Sequence, residues 1–352
     1  NAGVFTTAVG ANLTVGTEFT QDGAGTNSLG GNISSTNDGI AFATAITLTN
    51  PVVLTSAGGV ADDIILNSTV DGAGQGLTLN AGAAGIINVA GAIGGGGAIG
   101  ALQVTNSSGT TFGAAVTADS FTQVVGLGTT TFSGALDLTG AFDFTGVNLT
   151  IAAAATIGGT TDVTNSGLFT TTAAGDITST GAFTQDGDGS SNLAGDITTA
   201  GANILIGQNA AGTVTTIAGP VTLTSGGSAI TLGSSAADTL TLNAALNLVA
   251  GAGVATFNAT TGIGASNLTV TSASVADVNA AIGGTTGRVN FAGANLTTLD
   301  APIALTGNGT VTLDATNINV AGGITTVGGD ITFNDAVTVN SGAATTIGTG
   351  VG

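Results

Sequence analysis

The residues with the clearest potential for chemistry are three oxygen-bearing side chains at alternate positions of a glycine-rich segment, Asp186, Asp188 and Ser190. Oxygen ligands spaced around glycines are typical of the opening of a calcium-binding loop. However, the distal bidentate Glu of such loops is missing, as is the glycine-aspartate repeat of calcium-binding β-rolls. Two interpretations stay open, a Ca²⁺ site and a solvated turn, and calcium is the only cofactor that the sequence suggests.

Catalysis in this chain would depend on carboxylates, because His, Cys, Lys and Tyr are absent. Asp137 and Asp143 share a Phe-rich neighbourhood, whereas Asp62 and Asp63 are adjacent and are expected to point to opposite faces of a strand. Glycoside hydrolases use carboxylate pairs, but no partner acid is evident and the Trp and Tyr platforms of carbohydrate clefts are absent. The sequence therefore predicts a protein that is not an enzyme, with a solenoid glycan hydrolase kept as an alternative.

Nine Asn-x-Ser/Thr sequons are candidate N-glycosylation sites. They begin at Asn12, Asn32, Asn67, Asn106, Asn148, Asn258, Asn267, Asn295 and Asn308. A strand repeat that contains Asn-Leu-Thr produces sequons automatically, so coincidence is the competing interpretation.

The composition predicts an ordered, all-β protein. The 352 residues include 61 Gly, and 42% are hydrophobic, which is ample apolar surface for a core. The charged and thioether helix formers are scarce, since Glu occurs once and Lys and Met are absent, while the strand formers Thr, Val and Ile recur throughout.

The absence of cysteine excludes a disulfide framework and fits an exported protein that is stabilised by repetition. The charge limits the possible partners. A net charge of −19 with one basic residue argues against binding to nucleic acid or anionic lipid.

The chain begins at Asn1 without a signal segment, so we expect a processed chain or a section of a longer one. The charge-free stretch 81–104 is interpreted as a glycine-rich turn between short strands at 85–89 and 101–105, and not as a membrane span.

The sequence contains an internal duplication. Residues 1–36 align without a gap on 165–200, and 61–67 aligns further on with 237–243. We therefore predict one continuous solenoid domain over 1–352, built from duplicated halves 1–164 and 165–352.

A shorter repeat of about 20 residues lies within each half. The word GDIT begins at 175 and at 195, Phe112 recurs as Phe132, and Phe121 as Phe142. Segments such as NLTV alternate apolar and polar residues, which is typical of strands with one buried face. Coils of this length, stacked at the inter-strand spacing of about 4.8 Å, would form a rod of about 17 coils.

Two further features have competing interpretations in such a solenoid. Threonine runs at 44–49, 129–132 and 169–172 would form an ice-binding face if they stacked in register, although Thr is also an ordinary outward residue of strands. Arg288, the only cation, either bridges an Asp of an adjacent coil or neighbouring subunit, or lies on an exposed turn.

The coil length, the words GDIT, GNIS and NLTV, and the richness in Gly, Ala, Thr and Asn resemble the repeat regions of filamentous haemagglutinin-type bacterial exoproteins. The resemblance covers the whole chain and is compositional. It implies a right-handed parallel β-helix, secretion through an outer-membrane partner, and a role in adhesion, biofilm or filament formation.

The expected function is that of a secreted structural protomer of an extracellular filament or matrix. Open solenoid ends are unpaired strand edges, so copies of the chain are expected to join end to end by β-augmentation, with lateral assembly of filaments as the alternative. The main alternative is the stalk of a cell-surface adhesin that presents a binding domain elsewhere, and an ice-binding protein is a further one.

Overall fold

The computed structural model describes residues 2–60, 62–209, 211–340 and 345–350. These residues form 43 β-strands, which pair in parallel, and no helix. The strands make about 16 turns of a β-solenoid with roughly 21 residues per coil, which confirms the predicted fold class. The chain divides into two compact units, Asn1–Leu168 and Phe169–Gly352.

The strands of the first unit are short, because a glycine, asparagine or aspartate turn interrupts the alternating pattern every few residues. They are β1 (Phe5–Thr7), β2 (Leu13–Val15), β3 (Phe19–Gln21), β4 (Asn27–Leu29), β5 (Ile33–Ser35), β6 (Ile40–Phe42), β7 (Ile46–Leu48), β8 (Val52–Thr55), β9 (Ile64–Leu66), β10 (Val70–Asp71), β11 (Leu77–Asn80), β12 (Ile86–Val89), β13 (Ile99–Ser107), β14 (Gly109–Phe112), β15 (Val116–Gly126), β16 (Thr129–Phe132), β17 (Leu136–Leu138), β18 (Phe142–Gly146), β19 (Asn148–Ile151), β20 (Ala155–Ile157) and β21 (Thr161–Asn165).

The remaining strands belong to the second unit, except that β22 starts at the last residue of the first. They are β22 (Leu168–Thr171), β23 (Ile177–Ser179), β24 (Phe183–Gln185), β25 (Ser190–Leu193), β26 (Ile197–Thr199), β27 (Ile204–Ile206), β28 (Val214–Ile217), β29 (Val221–Thr224), β30 (Ile230–Leu232), β31 (Thr239–Leu242), β32 (Leu246–Val249), β33 (Val254–Phe257), β34 (Thr260–Gly264), β35 (Asn267–Val278), β36 (Ile282–Gly284), β37 (Arg288–Leu299), β38 (Ile303–Leu305), β39 (Thr310–Val320), β40 (Ile324–Val327), β41 (Ile331–Phe333), β42 (Val337–Val339) and β43 (Ile347–Gly350).

Each coil passes through three faces, which we name A, B and C in the order that the chain visits them. In the first unit, face A holds β1, β4, β7, β10, the start of β15, β17 and β20, face B holds β2, β5, β8, β11, β13, the end of β15, β18 and β21, and face C holds β3, β6, β9, β12, β14, β16 and β19. The second unit, taken by itself, also has three faces per coil. Its strands β35, β37 and β39 are long enough to run through two of them. The third face contains β36, β38, β40 and β43 at its C-terminal end.

The register of the strands confirms the repeat length that the recurring sequence motifs indicate. Phe112 pairs with Phe132, Phe121 with Phe142, and the isoleucines of the two GDIT words pair with each other. The step from one coil to the next varies from 19 residues between Thr130 and Leu149 to 26 residues elsewhere in the chain. Turns of different length absorb most of this variation, and the register also shifts within the strand pairs β11–β13, β32–β35, β34–β36 and β37–β39.

The core of each unit is filled by apolar side chains from alternate strand positions. In the first unit the rings of Phe112 and Phe132 stack with centroids 4.8 Å apart, and those of Phe121 and Phe142 with centroids 5.1 Å apart. The two columns meet edge-to-face between Phe121 and Phe132 at 5.0 Å. Offset stacks and edge contacts are the favoured aromatic geometries, so the phenylalanines both fill the interior and hold adjacent coils in place.

Glycine is required where a turn lies directly against the preceding coil. At Gly128, an added Cβ would lie 1.8 Å from the Ser108 carbonyl oxygen, which no real side chain tolerates. At Gly109, one coil earlier, the nearest atom would be the Thr129 carbonyl oxygen at 3.6 Å, an ordinary contact. Only some of the many glycines therefore reflect close approach of two backbones.

The internal duplication extends to individual hydrogen bonds. In the first unit the Thr7 hydroxyl accepts the backbone N–H groups of Gly30 and Gly31, both at 3.1 Å. In the second unit the Thr171 hydroxyl accepts the N–H groups of residues 194–195, both at 3.0 Å. Each Thr ends a strand with a buried hydroxyl that accepts two N–H groups of the next coil, and the Gly30 N–H also donates to the Thr7 main-chain carbonyl at 2.9 Å.

The charge-free stretch 81–104 forms strands, as the sequence indicates. It contains β12 (Ile86–Val89) and most of β13 (Ile99–Ser107), which are separated by a glycine-rich turn. Within the described part of the chain, no helix has the length and apolar character that crossing a membrane requires.

Candidate functional site

The predicted calcium loop lies in the turn between β24 and β25. Asp188 is exposed, and its Oδ1 accepts a hydrogen bond of 2.9 Å from the Asn209 side-chain amide. Asp186 is half-buried in the same turn, and Ser190 is half-buried as the first residue of β25. Over the residues that the structure describes, no group of three or more His, Cys, Asp or Glu side chains is placed to hold a metal ion. Calcium binding here stays a prediction that depends on backbone and hydroxyl oxygens as further ligands.

The carboxylates considered for glycan hydrolysis are not brought together. Asp137 is exposed on β17 of face A, and Asp143 is exposed on β18 of face B. The register instead places Asp143 beside Asp162 of β21, on the next coil of the same face. Adjacent parallel strands lie about 4.8 Å apart, so these like charges sit close to each other at the surface. Sequence reasoning missed this pair because it depends on the register and not on spacing along the chain.

Asp238 has an extensively hydrogen-bonded carboxylate and is 1% exposed. Its Oδ1 accepts the backbone N–H groups of Gly212 at 2.7 Å and Thr213 at 3.0 Å, and the Thr213 hydroxyl at 3.1 Å. Its Oδ2 accepts the N–H and hydroxyl of Ser234 at 2.7 and 2.9 Å, and the N–H of Ser235 at 2.9 Å. Asp238 therefore joins the turn of its own coil to the turn of the preceding one.

These hydrogen bonds determine the ionisation of Asp238. Burial alone would raise the pKa of its carboxyl, but the hydrogen bonds from Ser234, Ser235 and Thr213 outweigh burial and lower the pKa below its usual 3.8. The carboxylate is thus held in its charged form as a fixed structural element. It has no second carboxylate or cation among its hydrogen-bond partners, so the geometry assigns it to cross-linking turns.

Asp62 is the counterpart of Asp238 in the first unit. It is also buried, and its Oδ2 accepts the backbone N–H of Gly59, while the Ser56 hydroxyl donates to its main-chain carbonyl. The alignment of 61–67 with 237–243 places both residues at the same point of the repeat. That alignment was the signal in the sequence that could have identified a structural aspartate.

Asparagines and aspartates at the turns also connect successive coils. In the first unit, Asn12 Oδ1 accepts the backbone N–H of Asn32 at 3.0 Å, and Asn32 Oδ1 accepts that of Val53 at 2.9 Å. The side chain replaces a ladder acceptor at a point where the backbone turns. The first residue of the strand words NLTV and NIS therefore has a structural role as well as forming a sequon.

The same device recurs in the second unit. Asp176 Oδ1 accepts the backbone N–H of Asp196 at 2.8 Å, and Asp196 Oδ1 accepts that of Thr222 at 2.6 Å. In every one of these bonds the acceptor lies on the earlier coil and the donor on the later coil. The aspartate of the GDIT word is thus a connector between coils.

The predicted glycosylation sites fall into two groups. The exposed asparagines are Asn12, Asn67, Asn267, Asn295 and Asn308, and the half-buried ones are Asn32, Asn106, Asn148 and Asn258. The half-buried amides include Asn148, whose Oδ1 accepts the N–H of Leu168 at 2.8 Å, and Asn258, whose Nδ2 donates to the Gly233 carbonyl at 3.2 Å. Asn12 of the exposed group connects two coils through its Oδ1, so Asn67, Asn267, Asn295 and Asn308 are the sites to which a glycan could be attached without affecting such a bond.

Arg288 is exposed at the start of β37, with Asn267 and Thr310 as its register neighbours on the adjacent coils. Among the described residues no carboxylate lies within ion-pair distance of its guanidinium. Arg288 is thus an exposed strand residue and not a turn residue, and a bridge to a neighbouring subunit stays a prediction.

The threonine runs stack only in part. Thr111, Thr131 and Thr150 follow one another in register on the outward side of face C. The next residue back in this column is Asn88, and the neighbouring outward column contains Gly109, Thr129 and Asn148. Thr44 of the first run instead bonds within the protein, through its hydroxyl and the Asn27 amide.

Comparisons with protein-family models, with curated proteins and with solved structures find no match to this chain. The resemblance to haemagglutinin-type exoproteins therefore depends on the repeat words and composition alone. The three-faced coil, the parallel register and the connectors at the turns classify the chain as a β-solenoid repeat protein.

Proposed function

We propose that the chain is a structural protomer of an extracellular filament or matrix, in which copies join end to end. The observation that carries this proposal is that the first and last described coils each have one unpaired edge on all three faces. Among the described residues, β1, β2 and β3 pair only with β4, β5 and β6, and β41, β42 and β43 pair only with strands of the preceding coil. Such edges readily accept further parallel strands.

The last described coil also exposes side chains that are buried elsewhere in the solenoid. Val337 and Val339 are exposed, whereas their register partners Ile318 and Val320 on the preceding coil are fully buried. A further coil placed on this edge would cover them as the other coils cover one another. Burial of apolar side chains would then add to the hydrogen bonds of the ladder.

The first coil also has apolar side chains that are less buried than their register partners on the next coil. Leu13 and Phe19 are half-buried, and their register partners Ile33 and Ile40 are buried. In addition, residues 345–352 read into 1–7 resemble 155–171 with two residues removed, so the two edges present related sequences. A second copy of the chain is therefore a suitable occupant for either edge.

The distribution of polar side chains supports a structural role over a catalytic one. The most buried carboxylate, Asp238, is saturated by turn N–H and hydroxyl groups, and the turn amides and carboxylates connect coils. The net charge of −19 would keep free copies soluble and would confine association to surfaces with favourable contacts. The absence of cysteine is consistent with a secreted protein that obtains stability from repetition.

The test is electron microscopy and sedimentation of the purified chain and of two matched variants. Val337→Asp places a charge on the unpaired edge. Val214→Asp is the control within the second unit, because the two side chains are similarly exposed, Val337 at 37% and Val214 at 39%. We expect filaments from the unmodified chain and from Val214→Asp, and discrete particles from Val337→Asp. Discrete particles from the unmodified chain at all concentrations would overturn the proposal.

The same unpaired edges support a second candidate, the stalk of a secreted adhesin. In that case the next coil belongs to the same polypeptide, which presents a binding domain elsewhere. A native gene product with many more coils and a distinct tip domain, and without filaments of separate chains, would favour the stalk.

A further inference from the structure

The first unit contains a region that is almost free of charge. Between Asp71 and Asp137 the sequence has a single charged residue, Asp119, although the chain as a whole carries 20 acidic residues. This region supplies the coils from β11 to β16. Repulsion between two copies of the chain is therefore weakest here.

Exposed apolar side chains concentrate in the same region, where face B turns into face C. Ile86 is 43% exposed, Val124 43%, Val125 40% and Leu127 50%. We call these four residues, together with the half-buried Val147, the apolar edge. Scattered apolar residues are ordinary on a protein surface, but a cluster in an uncharged region is typical of a contact surface.

The apolar edge follows the stacking of the coils. The Leu127 N–H donates to the Ser107 carbonyl at 2.9 Å, and the Val147 N–H donates to the Gly126 carbonyl at 2.8 Å, so these two turns lie on consecutive coils. Side chains in such positions repeat at about 4.8 Å. The edge is therefore a ridge along the stacking direction of the first unit, interrupted between Ile86 and Leu127 by one coil that has Ser108 and Gly109 at this position.

Acidic residues mark the limits of the ridge. Asp63 lies at one end, where its Oδ1 accepts the Ile86 N–H at 2.9 Å, and Asp143 is exposed on the adjoining face B. Charged groups around an apolar centre resemble the polar rim of a protein interface. They would repel an acidic partner that approached in any position other than along the ridge.

We propose that the apolar edge binds the apolar edge of a second copy, side by side, and so bundles filaments laterally. A partner surface must be apolar and uncharged, and the same edge on another copy has both properties. Two antiparallel copies related by a two-fold axis would let the side chains of one ridge fit between those of the other. The proposal rests on the proposed function, because it requires filaments that present the edge repeatedly.

One such contact is weak, since five residues are far fewer than the roughly 20–30 per side of a stable interface. A filament repeats the contact once per copy, and the linked contacts add as multivalent binding. Single chains are thus expected to stay apart laterally, while filaments associate. Added salt screens the acidic charge and should strengthen bundling.

The experiment compares the unmodified chain with Leu127→Asp and with Ser133→Asp, which lies at the opposite end of face C on the same coil. Filaments are imaged, and the fraction that sediments at low speed is measured at low and high salt. We expect bundles for the unmodified chain and Ser133→Asp. Leu127→Asp should give single filaments of normal length, with a fall on the order of tenfold in the sedimented fraction, because a charge enters every apolar contact.

Each outcome separates the two proposals. Single filaments of the unmodified chain at high salt, or bundles that persist in Leu127→Asp, would overturn lateral association and leave the filament function standing. An unmodified chain that forms no filaments would overturn both.

Discussion

At the residue scale, the polar side chains of this protein act mainly as substitutes for backbone hydrogen-bond partners at turns. Asp238 accepts six hydrogen bonds from turn groups, and the Thr171 hydroxyl serves two N–H groups of the next coil. A buried N–H without an acceptor costs about 1–3 kcal/mol. Single polar residues at turns therefore determine whether two coils stay together.

Asp238 should make the stability of the second unit dependent on pH. Because the folded-state pKa lies below the unfolded value, its stabilisation is present above about pH 4 and is lost as the pH falls through the folded pKa. Asp238→Asn should reduce stability at pH 7 by about 2 kcal/mol and flatten the acid dependence. Thermal unfolding between pH 2 and 7 checks this, with the exposed Asp137→Asn as control, and equal pH profiles for Asp238→Asn and the unmodified chain would contradict it.

Thr171→Val should destabilise the second unit by about 1–3 kcal/mol, since the shape of the side chain is kept but the N–H groups of Ala194 and Gly195 lose their acceptor. The matched control is Thr178→Val, because Thr178 is exposed on β23 and should tolerate the change within about 0.5 kcal/mol. Urea unfolding measures both. Similar midpoints for the two variants would show that the Thr171 hydroxyl is not needed.

At the element scale, the turns differ in length from coil to coil, whereas the strands repeat one alternating pattern of apolar and polar residues. The alternation of apolar and polar residues predicted the strands, and the repeated words predicted the pairing of Phe112 with Phe132. The variation in coil length was not predictable, since a longer turn leaves the strand pattern unaltered. The burial of Asp238 and the pairing of Asp143 with Asp162 were missed because both depend on which residues adjacent coils bring together.

Gly128→Ala should destabilise the first unit by about 1–3 kcal/mol, because the added methyl group collides with the Ser108 carbonyl of the preceding coil. Gly109→Ala provides the control, since its methyl group would be 3.6 Å from the nearest atom. Thermal melting of the two variants measures the difference. If Gly128→Ala melted at or above the temperature of Gly109→Ala, close backbone contact would not explain the glycine.

At the scale of the whole molecule, the 43 strands of the described residues pair in parallel. In such a ladder an exposed side chain does not imply an accessible backbone. Arg288 shows the difference. Its guanidinium is exposed, yet its strand β37 is paired with β35 on one side and β39 on the other. A protease needs an extended, unpaired segment, which this position does not offer while the coil is folded.

Trypsin should therefore leave the folded chain intact and cut the denatured chain once, after Arg288, into fragments 1–288 and 289–352. Mass spectrometry after digestion with and without urea measures both states. Rapid cleavage of the folded chain would show that β37 opens locally.

The turn acceptors Asn12, Asn32, Asp176 and Asp196 all point toward the coil that is synthesised later. A chain that emerges with its N-terminal side first would thus meet, at each winding, a surface already equipped with the acceptors that the arriving segment requires. Growth of the fold can proceed one winding at a time in a single direction, with each finished layer acting as the template for its successor. The amide and carboxylate oxygens of these four residues thus favour addition of windings in that direction, whereas the Asp238 carboxylate binds back to the coil before its own.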